Sequence, residues 1–73
     1  MEEANIYLSR IYLATSPLLD CEFEGEVVRK NSHTCILKVI NCSLKDKQAV
    51  ADLQGMMVVK YSDIRKRDSF TNG

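Results

Sequence analysis

Few residues in this chain offer a handle for catalysis or metal binding, and what is missing narrows the field. Among 73 residues there is one histidine, three cysteines and no C-x-x-C pair, so a metal-organised fold is not expected. The thiols Cys21, Cys35 and Cys42 are odd in number, with no secretory apolar segment ahead of them. That argues against a disulfide framework and for a reducing, cytoplasmic setting. The segment MEEANIYLSR opens on two acids rather than the basic start of a signal peptide. No apolar run approaches the length that crosses a bilayer. Repeats and low-complexity tracts are absent. The chain has no room for a second domain, and its core must be thin. Domains of this size commonly lean on a partner subunit, and an apolar fraction of 45% keeps that route open.

Charge is present but divided. Met1 to Glu26 carries six acids against Arg10 alone, while Val27 to Gly73 carries nine bases against four acids, so the halves balance at −5 and +5. Such asymmetry points to a nucleic-acid surface or self-association, or to an acidic element folded against a basic one.

The most informative stretch is CEFEGEVVRKNSHTCILKV, Cys21–Val39. Cys21, Phe23, Gly25 and Val27 alternate with Glu22, Glu24 and Glu26, the period of a half-buried strand. Gly25 inside that pattern marks a bulge or a close backbone approach. After the polar turn Lys30-Asn31-Ser32-His33 comes Thr34–Asn41, apolar on nearly both faces and so expected to be central. Cys42–Lys47 reads as a polar connection with Lys45-Asp46-Lys47 at its solvated tip. Ala49–Leu53 reads as a short third strand, and Gln54-Gly55 as a turn into a fourth over Met56–Tyr61. Ser62-Asp63-Ile64 reads as one helical turn, Arg65–Arg67 as a basic edge strand, and 68–73 as a flexible tail.

The N-terminal segment is expected to be a helix over 4–15. Ala4, Tyr7, Leu8, Ile11 and Ala14 recur at spacings of three and four, and Ser16-Pro17 stops the run.

Gly25-Glu26-Val27-Val28-Arg29-Lys30, a polar turn and Ile36-Leu37-Lys38-Val39 resemble a KOW-type element. Val58-Val59-Lys60-Tyr61-Ser62-Asp63-Ile64 is similar to the closing segment of SH3-like barrels. Over about residues 21–67 the chain looks like the small bacterial SH3-like proteins of unknown function. The expected fold is therefore mainly β with an N-terminal α-helix: an SH3-like small barrel over 19–67, or a partly open five-stranded antiparallel sheet, in a single domain.

His33, Cys35 and Cys42 lack the paired spacing of a zinc site and read as a turn histidine and buried thiols. Nucleophilic catalysis by Cys and His needs an orienting third group and a pocket, neither of which the pattern offers. Glu22, Glu24 and Glu26 read as a solvated face rather than paired acid–base groups. No catalytic residue, metal or cofactor is expected. The leading expectation is a non-catalytic regulator or adaptor that binds a protein partner or itself, as a homodimer, through Tyr7, Leu8, Ile11 and Tyr12. The alternative is a nucleic-acid module contacting phosphates through Arg29, Lys30, Lys60, Arg65, Lys66 and Arg67, with Tyr61 as a stacking face.

Overall fold

The hydrophobic alternation of the chain is realised as one curved antiparallel sheet. In the computed structural model, which describes residues 1–67, the strands are β1 (Ile11–Ala14), β2 (Phe23–Lys30), β3 (Thr34–Asn41), β4 (Met56–Lys60) and β5 (Ile64–Arg65). They lie in the order β4-β3-β2-β1-β5, a half-barrel whose two edges are β4 and β5.

The expected N-terminal helix over 4–15 does not form. Residues 11–14 form a strand held on both sides, by β2 through Tyr12↔Gly25 and by β5 through Ala14↔Ile64. Before it lies only a single 3-10 turn, Glu3–Asn5. Ser9 takes a left-handed conformation, φ 68°, which interrupts any helix through this segment. Ile11, Tyr12 and Leu13 all suit a pleated surface, and two flanking strands outweigh a helical stripe with nothing to pack on. The segment buries Ile6, Tyr12 and Ala14, and along β1 the buried residues alternate with period two.

The opposite correction falls on Ala49–Leu53. Ala49–Asp52 lie in α1 (Lys47–Asp52), the one α-helix among the described residues, with Leu53 at its C-cap and a 3-10 turn at Leu44–Asp46 as its entry. Ser43 caps that turn, its hydroxyl accepting from the Lys45 amide at 3.2 Å. Gln54 and Gly55, at φ 58° and 78°, end the helix in left-handed conformations that favour glycine. Ala49 and Val50 turn toward the core.

That core is built on Phe23, Ile6, Leu37, Met57, Val27 and Cys35, each almost wholly buried. Burying each of the large apolar side chains contributes about 1.5–3 kcal/mol. Gly25 is required here for space. A Cβ on it would stand 2.8 Å from the Leu37 Cβ and 3.3 Å from Phe23 Cε2. The β2–β3 register also shifts between Glu24 and Gly25, so the glycine marks both a bulge and a close approach.

Asp46 is the buried charged residue of the described chain, 3% exposed, where the pattern Lys45-Asp46-Lys47 suggested a solvated tip. Its carboxylate accepts from the Asp20 and Cys21 amides at 2.9 and 3.0 Å. It thereby ties the loop before β2 to the entry of α1. The tail over 68–73 lies outside the described residues. No helix among the described residues is long and apolar enough to cross a membrane.

Candidate functional site

β4 presents one candidate surface. Its residues alternate, with Met57 and Val59 buried and Met56, Val58 and Lys60 exposed. The register with β3 sets Val58 beside Ile36 and Met56 beside Lys38 on the outer face. Val39 N–H donates to the Gly55 carbonyl at 2.8 Å. By antiparallel alternation, Met57 and Val59 therefore turn their backbone groups toward β3, as the Gly55 carbonyl does, and Val58 turns its own toward the open side. Among the described residues no strand lies there. The pairing with β3 is regular, without a bulge, and a single Lys60 at the end is the only charge on the strand. Edge strands are ordinarily blunted by bulges, proline or several charges; this one is nearly bare. Beside it a groove of about 260 Å³ runs between Thr15–Leu18 and Val58–Lys60. Leu18 and Val58 flank it, 65% and 63% exposed.

The other edge is constructed differently. β5 has two residues, and its Arg65 reaches back to Glu22. Nε donates to Oε2 at 2.6 Å and the second guanidinium nitrogen to Oε1 at 2.8 Å. This fork geometry holds the Glu22 carboxyl below the usual carboxylate range. Arg67 stands 3.5 Å from Glu24. The acidic N-terminal half and basic C-terminal half thus meet here as an acidic strand face against a basic one.

Above this edge lies a cleft of about 630 Å³ lined by Met1, Asn5, Tyr7, Ser9, Arg10, Ile11, Tyr12, Lys66 and Arg67. Tyr7 is 57% exposed, and the Arg10 guanidinium lies 5.6 Å from its ring centroid. Tyr12 is buried, its hydroxyl accepting from the Tyr7 amide at 3.0 Å and donating to the Asn5 carbonyl at 3.4 Å.

The partner-binding candidates are therefore split. Tyr7 and Leu8 are exposed, Ile11 is half-buried on β1, and Tyr12 belongs to the core. The phosphate-binding candidates are also dispersed. Arg29 is exposed on β2 across from Ile36, and Lys60 is exposed on β4 across from Thr34. Lys30 Nζ donates to the Glu3 and Ile6 carbonyls at 2.8 and 2.6 Å, where it closes the N-terminal turn. Tyr61 lies in the core with its hydroxyl donating to the Asn31 carbonyl at 2.5 Å; burial raises its pKa above the ordinary phenol value. Arg65 holds Glu22, while Lys66 and Arg67 enter the cleft. Arg10 joins them there. It was missed because it stands alone among acids, and only the fold brings it to Lys66.

His33 is exposed in the β2–β3 turn and Cys35 faces the core, so the two do not share a surface. Burial pushes the Cys35 thiol above its ordinary pKa, with Lys30 opposing the shift. No family model, curated protein or solved structure matches the chain.

Proposed function

We propose that this chain is a small, non-catalytic binding module that associates through the open edge of β4, and that the strand it takes there comes from a second copy of itself. The bare edge carries this reading: an unblunted strand with Val58 and Met56 exposed and an apolar groove alongside. Antiparallel pairing about a two-fold axis at Val58 places each Val58 N–H against the partner's Val58 carbonyl. It sets Lys60 opposite Met56 of the partner, so the one charge on the strand meets no like charge. Two five-stranded halves then form a continuous sheet with isologous contacts. The groove at Pro17 and Leu18 would cover the outer side chains of the incoming strand, giving the contact an apolar centre.

Light scattering across a concentration series tests this. The expected result is a dimer for the native chain and a folded monomer for Val58→Lys, whose charges would face each other across the axis. A native chain that stays monomeric over the whole range overturns the self-association.

A further inference from the structure

We infer that the cleft over β1 and β5 binds single-stranded nucleic acid, with an unpaired base against Tyr7 and phosphates held by Arg10 and Lys66. The inference is independent of the β4 edge, which lies at the other end of the sheet.

Three features converge on that ligand. The first is charge: Arg10, Lys66 and Arg67 line the cleft, and no carboxylate is among its described lining residues. In a chain of zero net charge this is a local concentration of positive potential, and it favours an anion. Arg67 is only loosely engaged by Glu24, at 3.5 Å, whereas Arg10 and Lys66 are exposed. The second is a flat surface. The Tyr7 ring is exposed and its Arg10 neighbour lies over it at 5.6 Å, an aromatic–guanidinium pair of the kind on which bases stack. The third is size and polarity. At about 630 Å³ the cleft suits one or two nucleotide units, and Asn5 and Ser9 add hydrogen-bonding groups at its wall.

Duplexes keep their base faces within their own stack, so Tyr7 selects an unpaired strand. Phosphate contacts alone would not make that distinction. The left-handed Ser9, φ 68°, is what turns the chain between Tyr7 and Arg10 so that the two side chains meet. Strain of this kind is commonly held at functional sites.

Fluorescence anisotropy with a short labelled pyrimidine strand, as RNA and as DNA, tests the assignment beside the matching duplex and a free mononucleotide. Binding of the single strand at low salt, weaker for duplex and mononucleotide, is expected. Tyr7→Ala should weaken it roughly tenfold or more. Arg10→Gln and Lys66→Gln should each flatten the salt dependence by about one phosphate contact. All three side chains are exposed, so circular dichroism should report an unchanged fold. Val58→Lys should leave binding intact. No binding of the single strand at low salt, equal binding of the duplex, or full affinity in Tyr7→Ala each overturns the inference.

Discussion

The two edges of the sheet solve the same problem in opposite ways. Both leave one row of backbone groups without a neighbouring strand among the described residues. β5 is two residues long and is guarded by the Arg65–Glu22 fork. β4 is five residues long, regular and almost without charge. Short length and charge discourage further pairing, and their lack invites it. An edge is best judged by what it withholds: the guarded one leaves room for a polar cleft above it, and the bare one offers its own backbone.

The largest effect should come from what both edges share. Leu37, wholly buried on β3 between Met57 of β4 and Val27 of β2, lies at the centre of the core, and Leu37→Ala should cost about 2–5 kcal/mol in chemical denaturation. Such a loss would dissolve both edges in one transition; two separate transitions would show that they belong to different cooperative units. Next is Asp46→Ala, which leaves the Asp20 and Cys21 amides unpaired and should cost about 1–3 kcal/mol. An unchanged denaturation midpoint would mean that the carboxylate is not holding the loop.

The guard on β5 is a smaller term. An exposed ion pair contributes about 0–1 kcal/mol, so Glu22→Gln should destabilise slightly, and less in high salt. Because Arg65 lowers the Glu22 pKa in the folded state, the pair's contribution is present above the ordinary carboxylate range. It is lost as pH falls through the depressed folded value. A denaturation series from neutral to acid pH should therefore show the native chain and Glu22→Gln converging at the acid end. Parallel curves would remove the pair from the account. Val58→Lys should do least to the monomer's stability, within about 0.5 kcal/mol. It should nevertheless abolish any rise of melting temperature with protein concentration; a persisting rise would move the contact elsewhere.

What was legible in the residues was strongest where one local rule acted alone. The alternation from Phe23 to Lys30, the turn at Asn31-Ser32-His33 and the run Thr34–Asn41 read directly as a hairpin, and Gly25 declared its own close approach. Two other segments exchanged identities. Residues 11–14 have apolar positions compatible with either period, and the outcome was decided by β2 and β5, which are distant in sequence. Residues 47–52 contain an alanine pair around Val50 with good helix propensity, yet the short run Ala49–Leu53 taken alone suggests a strand. The Ser43 cap and the left-handed pair Gln54-Gly55 were the available signals for that helix. Asp46 was concealed because burial of a carboxylate depends on amides at Asp20 and Cys21, which no spacing rule connects to it. The cleft was legible only in pieces: Tyr7, Ile11 and Tyr12 in one set, Lys66 and Arg67 in another, Arg10 in neither.

The three cysteines follow from the same architecture in a practical way. Cys35 points into the interior of the half-barrel, where burial disfavours its thiolate, whereas Cys21 and Cys42 are partly accessible at the β1–β2 and β3–α1 connections. The thiolate is the reacting species. An alkylating reagent should therefore label Cys35 only through opened states of the sheet, well behind Cys21 and Cys42. The chain carries its own clock for the breathing of its core.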